Sequence, residues 1–303
     1  MADKVTDLLA GKTIATGNNP NDGQPQVVDA KMTGINMEDP AALYCDAMTE
    51  RDINKVADGG TITRVVLIGF EAYGKSTFAS SMYYCFTMHE KYCGQTLFDS
   101  DTYSGFERRM LVRDVKRTDL SIREKRTLKG ENPLLVMSLD SETTGKYKVV
   151  LSDRSGEDYS QFSGSDDEIK ENQILKVAEH VVFFIDVDRM MSNYASLRYA
   201  YKNLLQELTG KSLLPENSQL KLVFNKHDLV KDWQGYAANK EKTEGLFAEA
   251  LCGRKYKVYE MDATGASDQF ASVEKLVKDL LMTENASGRA HREQLDWVKN
   301  ELK

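Results

Sequence analysis

Residues 69–76 read G-F-E-A-Y-G-K-S, with two glycines separated by four residues and followed by lysine and serine. The preceding run, Ile62–Ile68, is rich in β-branched residues and predicts a strand. The following run, Ser76–Glu90, contains neither glycine nor proline and predicts a helix. A glycine loop between a strand and a helix is the setting in which this pattern cradles phosphate groups. The chain is therefore expected to fold around a phosphate-binding loop, or P-loop.

The residue types of this loop match the charge of a nucleoside triphosphate. Gly69 and Gly74 permit backbone conformations that other residues avoid, so that N–H groups of the loop can converge on a phosphate. Lys75 supplies an ammonium group for the β- and γ-phosphates, and the Ser76 hydroxyl is suited to Mg²⁺. The residues expected to hold the nucleotide here are Gly69, Glu71, Ala72, Tyr73, Gly74, Lys75, Ser76 and Thr77. The pattern alone does not choose between ATP and GTP.

Composition sets the class and the expected compartment. The chain has 303 residues, of which 41% are hydrophobic, which is enough for a sizeable core. Its 40 basic and 47 acidic residues give a net charge of −7, so a nucleic acid is not an expected partner. No run approaches the roughly 20 apolar residues of a membrane span, and no apolar run follows Met1. The four cysteines form no C-x-x-C pair, so we expect reduced thiols in a cytoplasmic protein.

Further strands and helices alternate along the chain after residue 130. Predicted strands cover Pro133–Leu139, Tyr147–Leu151, Val181–Ile185, Leu220–Phe224 and Lys255–Met261, and predicted helices cover Ser192–Leu208, Ala237–Leu251 and Val273–Met282. The first two of these strands are expected to form an antiparallel hairpin. Alternation of strands and helices predicts an α/β fold, a three-layer sandwich with a mostly parallel sheet and one antiparallel edge strand.

Three polar motifs follow predicted strands. Asp153-Arg154-Ser155-Gly156 places a carboxylate at a strand end, where a second handle on Mg²⁺ is expected, and Gly156 leaves space beside a γ-phosphate. The sequence N-K-H-D occupies 225–228, and D-A-T occupies 262–264. Ligands of such folds bind at the carboxyl ends of the strands. All three motifs and the P-loop are therefore expected to meet at one edge of the sheet.

The flanking segments divide the chain into three parts. Residues 1–60 are expected to be a partly disordered extension, with a helix over Ala41–Ala57, and either to pack on the main domain or to bind a partner. Residues 61–284 form the nucleotide domain, with a long basic insertion at 93–130 that is either a solvated face or a contact to phosphates or an acidic partner. Residues 285–303 are expected to be a helical tail that packs back or reaches a partner.

The ordered motifs resemble the TRAFAC class of P-loop GTPases over about Thr61 to Thr283. The insertion before Pro133 and the flanking segments are similar to bacterial double-GTPase proteins, a TRAFAC branch linked to conflict or defence systems. The resemblance implies the Ras-like fold, a guanine nucleotide (GTP or GDP) and Mg²⁺. It also implies that Ser76 and Asp153 serve the metal, Asp153 through a water molecule, and that Gly156 senses the γ-phosphate.

The same resemblance assigns the base site. Asp228 of N-K-x-D accepts the guanine ring N–H and amino hydrogens, whereas adenine has an acceptor at that ring position and would be repelled. Asn225 ties this loop to the P-loop, and the stem of Lys226 lies along the base. Ala263 matches the backbone N–H that meets the guanine oxygen, and Thr264 follows it in the same loop.

Two acidic residues depart from the family pattern. Glu157 stands where a water-positioning glutamine often follows the D-x-x-G glycine, and a carboxylate there accepts from water but repels the γ-phosphate. Glu71 stands where Ras-like proteins have a P-loop glycine, near the approach of an external arginine. Both departures suggest slow hydrolysis or a mechanism unlike that of Ras.

The switch threonine and any internal arginine fall in the insertion. Thr127 is the first candidate for the switch threonine that also serves Mg²⁺, and Thr118 is the second. Arg126 or Arg123 could supply a positive charge in cis, although solvent-exposed arginines are the simpler interpretation. The residues expected to carry catalysis are Lys75, Thr127, Arg126, Gly156 and Glu157.

The leading hypothesis is a GTPase that hydrolyses GTP to GDP and phosphate and acts as a Mg²⁺-dependent molecular switch. GTP would order the loops around Thr127 and Gly156, and hydrolysis would release them toward an unidentified protein partner. The alternative is a non-hydrolysing, nucleotide-binding scaffold in a larger assembly, which Glu71 and Glu157 favour. A third interpretation is an ATPase with a degenerate base site.

Overall fold

The structure of this protein is a computed structural model that describes residues 13–14, 27–28, 46–52, 56, 61–110, 130, 132–162, 165 and 172–281. The chain divides into two units, Met1–Leu43 and Tyr44–Lys303. In the first unit, the described backbone is an antiparallel pair of two-residue strands, β1 (Thr13–Ile14) and β2 (Val27–Val28). All further description concerns the second unit. Several predictions lie outside the described residues: the tail 285–303, Thr118, Arg123, Arg126 and Thr127.

A seven-stranded sheet forms the centre of the second unit. Its strands are β3 (Thr61–Ile68), β4 (Gln95–Asp99), β5 (Leu134–Ser141), β6 (Gly145–Ser152), β7 (His180–Asp186), β8 (Gln219–Asn225) and β9 (Tyr256–Met261). The strand order is β4-β5-β6-β3-β7-β8-β9. Strands β6, β3, β7, β8 and β9 pair in parallel, whereas β5 runs antiparallel to both of its neighbours. The predicted α/β class is confirmed, with the antiparallel strand second from the edge because β4 pairs outside it.

Helices cover both faces of the sheet. They are α1 (Lys75–Met88), α2 (Tyr103–Met110), α3 (Gly156–Ser160), α4 (Gln173–Lys176), α5 (Val187–Ser192), α6 (Tyr194–Gly210), α7 (Trp233–Ala250) and α8 (Ala271–Leu281). Successive side chains of a strand point to opposite faces. Accordingly, Phe183 of β7 contacts Phe247 of α7, and Phe184 contacts Phe78 of α1. Within the described ranges, no helix combines the length and apolar character that a bilayer crossing requires.

The central strands have no solvated face, which explains their composition. Residues Val65–Ile68 of β3 and Val181–Ile185 of β7 are buried. Parallel strands covered on both faces require continuous apolar runs rather than alternation, and both sequences have that form. This core fixes the carboxyl end of β3, from which the P-loop emerges. Strands β6, β8 and β9 of the same sheet end in the D-x-x-G, N-K-H-D and D-A-T motifs.

The first part of the predicted polar insertion is regular structure. Residues 95–99 form the edge strand β4, and residues 103–110 form α2. Thr102 anchors the start of α2, because its hydroxyl accepts from the N–H of Val136 in β5 at 2.7 Å. The described part of the predicted insertion at 93–130 therefore contains a strand and a helix, since pairing with β5 decides the structure there.

Two helix predictions are corrected. The helix expected over Ala41–Ala57 is wrong at Met48, because Met48 and Leu134 exchange backbone hydrogen bonds of 2.9 and 2.7 Å, whereas Glu50–Asp52 form a 3-10 helix. A helical conformation at Met48 would remove this bridge. The helix predicted from Ser192 begins two residues later, at Tyr194 of α6. Its cap is Asn193, whose side-chain oxygen accepts from the N–H of Ser196 at 3.2 Å.

Candidate functional site

The P-loop connects β3 to α1 and leaves the start of that helix open. Gly74 precedes α1 with φ of +89°, and a Cβ there would lie 2.0 Å from the amide nitrogen of Asn225. Among the described residues, no side chain caps this helix, and its first turn carries no acidic residue. An uncapped helix start presents backbone N–H groups and the positive end of the helix dipole, which suits an anion.

Lys75 is buried at this helix start, with 6% of its surface exposed. Its ammonium group donates to the carbonyl oxygens of Gly69 at 2.7 Å and Phe70 at 3.2 Å. Burial lowers the pKa of Lys75 to about 8, although the charges of Asp153 and Asp158 oppose that change. A cation held mainly by neutral carbonyl groups is ready to receive an anionic ligand.

Two of the predicted metal-binding residues, Ser76 and Asp153, lie within the described structure, and their side-chain oxygens lie together. The Ser76 hydroxyl donates to Oδ1 of Asp153 at 3.0 Å, and Asp153 is completely buried. A hydroxyl and a carboxylate are hard oxygen ligands of the kind Mg²⁺ takes when substrate phosphates complete its shell. In the described ranges, no three acidic, histidine or cysteine residues cluster as a metal site would require by itself. The two side chains therefore fit a nucleotide-dependent Mg²⁺.

Asn225 joins three loops at the end of β8. Its amide nitrogen donates to the carbonyl of Tyr73 in the P-loop at 2.9 Å. Its amide oxygen accepts from the backbone N–H of Ala263 at 3.0 Å. The predicted tie between Asn225 and the P-loop is thus present. The role expected for Ala263 needs correction, because its N–H is engaged by Asn225 rather than aimed at a ligand.

The remaining N-K-H-D residues border the open end of the cleft. Lys226 adopts φ of +62°, and its ammonium group pairs with Asp186 at 2.6 Å. The Asp228 side chain is largely exposed to solvent. Desolvation of its less exposed part and the neighbouring negative charge of Asp262 raise the pKa of Asp228 above the usual value. Asp262 itself turns inward and accepts from the N–H of Thr264 at 2.8 Å. Asp228 is consequently the carboxylate that faces solvent at this end.

Gly156 lies directly against the P-loop. A Cβ at this position would come within 2.2 Å of the Glu71 nitrogen, so only glycine fits. Ser155 starts the short helix α3, and its hydroxyl accepts from the N–H of Glu157 at 3.3 Å. Glu71 and Glu157 line a neighbouring cleft of about 320 Å³ that also contains Arg189. The two departures from the family pattern therefore occupy adjacent positions.

Positive φ values mark the P-loop and the base loop. Ala72 at +63° and Lys226 at +62° are non-glycine residues in the left-handed region. Five other described non-glycine residues outside these motifs also have positive φ, so backbone conformation alone does not distinguish the site.

One cleft of about 630 Å³ unites most of the predicted residues, a volume typical of small-molecule sites. Its lining includes Glu71, Ala72, Tyr73, Gly74, Lys75, Ser76, Thr77, Gly156, Glu157, Asn225, Lys226, Asp228, Ala263 and Thr264. Gly69 and Asp153 do not line it, but both bond to lining residues.

Sequence reasoning missed two charged residues beside this cleft. Arg109 of α2 is buried, and its Nε donates to Oδ2 of Asp153 at 3.1 Å. Glu50 lies behind the D-x-x-G loop and accepts from the N–H of Gln173 at 2.9 Å. Burial raises the pKa of Glu50 to about 7, against the lowering effect of these hydrogen bonds. The basic density around Arg109 was the only sequence signal, and it did not distinguish this residue from its neighbours.

The fold and the cleft define a P-loop nucleotide-binding protein. A family model described as Double-GTPase 2 matches residues 63–281, more than two thirds of the chain. The chain therefore belongs to the Double-GTPase 2 family and is a P-loop GTPase of the double-GTPase type. Membership implies a guanine nucleotide as ligand. A comparison with curated proteins gave no match.

Proposed function

We propose that this protein binds GTP and GDP with Mg²⁺ in the 630 Å³ cleft, hydrolyses GTP slowly and acts as a molecular switch. One observation carries the proposal. A buried lysine at an open helix start and an outward-facing carboxylate, Asp228, line the same cleft, and Asn225 of the same motif as Asp228 bonds to the P-loop carbonyl of Tyr73. The first suits phosphates and the second suits guanine, so that one elongated ligand satisfies both ends.

At the phosphate end, positive charge and backbone donors act together. Lys75 exchanges its bonds to the Gly69 and Phe70 carbonyls for the β- and γ-phosphates. The N–H groups of residues 71–77 surround the β-phosphate, with Gly74 giving the close approach. The main contribution of such a site to phosphoryl transfer is to stabilise the negative charge that moves toward the leaving group.

At the base end, Asp228 selects guanine. Its carboxylate accepts the ring N–H and the amino hydrogens of guanine, and adenine offers no donor at those positions. Lys226 is fixed by Asp186, so that its stem forms a wall for the base. Because the Ala263 N–H is bonded to Asn225, the loop 262–264 serves mainly to position the base site.

Ser76, Asp153 and Thr127 would hold Mg²⁺, Ser76 directly and Asp153 through water. When bound, the metal would neutralise charge between the β- and γ-phosphates. The Ser76–Asp153 hydrogen bond already sets both oxygens side by side. Thr127 and Arg126, proposed as switch threonine and cis arginine, keep these roles as hypotheses.

Glu157 and Glu71 are the basis for slow turnover. Glu157 accepts a hydrogen bond from the attacking water, while its negative charge opposes the approach of the γ-phosphate. Glu71 adds a second negative charge beside Gly156. The same two residues favour the alternative, a non-hydrolysing scaffold that keeps GTP as a structural ligand.

The proposed switch acts in the cytoplasm through a protein partner. Loss of the γ-phosphate would release the loops around Gly156 and Thr127. The partner would bind these loops, the extension 1–60 or the tail 285–303. The extension and the tail flank the nucleotide domain at 61–284 in the sequence.

Single-turnover hydrolysis separates the switch from the scaffold. Purified protein is loaded with GTP, and release of phosphate is followed for several hours with Mg²⁺ and with EDTA. We expect slow, Mg²⁺-dependent release that changes severalfold in Glu157→Gln, whereas Glu216→Gln, an exposed residue remote from the cleft lining, behaves as wild type. Bound GTP that stays intact for hours in every sample would support the scaffold instead.

A further inference from the structure

The carboxylate of Asp153 has a partner on each of its oxygens. Oδ1 accepts from the Ser76 hydroxyl at 3.0 Å, and Oδ2 accepts from Nε of Arg109 at 3.1 Å. Asp153 is completely buried, and Arg109 is 8% exposed. A hydrogen bond between a guanidinium and a carboxylate is charge-assisted and stronger than a neutral one, so it restrains the rotation of the carboxylate. The orientation of Oδ1 toward Ser76 therefore depends on the bond to Oδ2.

Arg109 is itself held rigidly. Its Nη1 donates to the carbonyl of Gly105 at 2.9 Å, one turn earlier on α2. Phe106 of the same helix stacks on Tyr83 of α1, with ring centroids 4.4 Å apart and planes 4° apart. The guanidinium is thus carried by a helix that is packed against the helix of the P-loop.

Close packing against β5 and Ala47 also fixes the position of α2. A Cβ on Gly105 would lie 2.9 Å from the backbone nitrogen of Ala47 and 3.1 Å from the Leu135 side chain. The absence of that atom lets α2 approach β5 closely. Together with the Thr102–Val136 hydrogen bond, this approach leaves Arg109 little freedom to leave Asp153.

We propose that Arg109 is a positioning residue that orients Asp153 toward Ser76 for Mg²⁺ and thereby couples the metal to α2. The inference rests on the proposed function, because it requires a nucleotide with its metal in the cleft. Arg109 does not line that cleft, so it acts through Asp153 rather than on the phosphates. Arg108, beside it on the same helix, pairs with Asp46 instead and provides a matched control.

Removal of Arg109 is expected to affect the metal and to spare the nucleotide. Without its bond to Oδ2, the Asp153 carboxylate can rotate away from Ser76, and Mg²⁺ loses an oriented oxygen. The groups that contact the phosphates remain, since none of them bonds to Arg109. A purely structural role would instead weaken binding equally with and without the metal.

The test measures two quantities in full-length protein with a fluorescent GDP analogue. The first is nucleotide affinity in EDTA, and the second is the Mg²⁺ concentration that gives half of the metal-dependent change. We expect Arg109→Ala to raise that Mg²⁺ midpoint at least tenfold, with the affinity in EDTA within threefold of wild type. Arg109→Lys should recover part of the effect, and Arg108→Ala should match wild type.

A double variant provides the decisive control. If Arg109 acts through Asp153, then adding Arg109→Ala to Asp153→Asn should not raise the Mg²⁺ midpoint further. An unchanged or lower midpoint in Arg109→Ala, or an equal loss of affinity in EDTA, would overturn the inference. Should Arg109→Ala fail to fold, Arg109→Gln gives the same comparison, because it also removes the charge that holds Oδ2 of Asp153. Absence of GDP binding by wild type would overturn the proposed function itself, and this inference with it.

Discussion

Two lysines are buried at opposite ends of the same sheet. Lys75 follows the carboxyl end of β3, whereas Lys221 lies near the amino end of β8. Their exposed fractions are 6% and 0%, and burial lowers the pKa of both ammonium groups. Burying a charge is costly unless it is paired, so each site must meet that cost in its own way.

The charge of Lys221 is satisfied within the protein. Its ammonium group lies 3.1 Å from Asp279 of α8 and 2.8 Å from Nδ1 of His180. Burial, together with the charge of Lys221, lowers the pKa of His180 to about 3, so the imidazole stays neutral and accepts this bond. The cluster fastens the last described helix to the sheet.

The charge of Lys75 has no such partner. Its ammonium group donates to two backbone carbonyls, and among the described residues no carboxylate lies within ion-pair distance of it. The contrast separates a structural lysine from a binding lysine by their partners, although burial is similar. Three experiments test this contrast, beginning with the largest expected effect.

Replacement of Lys75 by Met should lower GDP affinity at least 1,000-fold, about 4 kcal/mol. The physical reason is loss of the cation that the phosphates would meet. Calorimetric titration measures the change. Lys221→Met, in its folded fraction, should stay within a fewfold of wild type. Similar losses in both variants would break the comparison.

Replacement of Asp279 by Asn should lower the free energy of unfolding by about 3 kcal/mol, because Lys221 is left in the core without a carboxylate. This loss is at the low end of the range expected for breaking a buried ion pair, because the Asp279 side chain is 17% exposed. Urea denaturation measures the loss. Glu274→Gln breaks the exposed pair to Lys278 on the same helix and should cost under about 1 kcal/mol. Equal costs would contradict a buried structural cluster.

The third test follows the stability of ligand-free protein with pH. Lys75 has a pKa of about 8 when folded against its ordinary value of 10.5, so the unfolded chain binds more protons between these values. The contribution of Lys75 to the free energy of unfolding therefore rises between pH 8 and pH 10.5 and is lowest below pH 8. At pH 7, Lys75→Met should be about 2–3 kcal/mol more stable than wild type, with the advantage fading toward pH 10.5. A difference that does not vary with pH would contradict an unpaired lysine.

Much of this fold could be predicted from local pattern. The strand predicted over Val181–Ile185 is observed as His180–Asp186, because a fully buried parallel strand leaves a continuous apolar run. Strand β4 was missed because it is short and only half buried, so its pairing with β5 rather than its own sequence decides its structure. Met48 was assigned to a helix for the same reason, since its bridge to Leu134 is a long-range contact.

The residues of the candidate site also fall into two groups: those that a local motif reveals and those that only tertiary packing brings to the site. Lys75, Asn225 and Asp228 belong to spaced motifs at strand ends, which sequence can reveal. Arg109 lies within a dense run of basic residues, and only tertiary packing brings it to Asp153. The engagement of the Ala263 N–H by Asn225 depends on how two loops meet, which no local pattern encodes.

The most direct test of the central claim is a calorimetric titration of nucleotide-free protein with GDP and ADP in the presence of Mg²⁺, on wild type and Asp228→Asn. We predict that wild type prefers the guanine nucleotide by at least tenfold, about 1.4 kcal/mol, and that the variant loses most of this preference. Equal or tighter binding of ADP by wild type would contradict the assignment of a guanine site at Asp228.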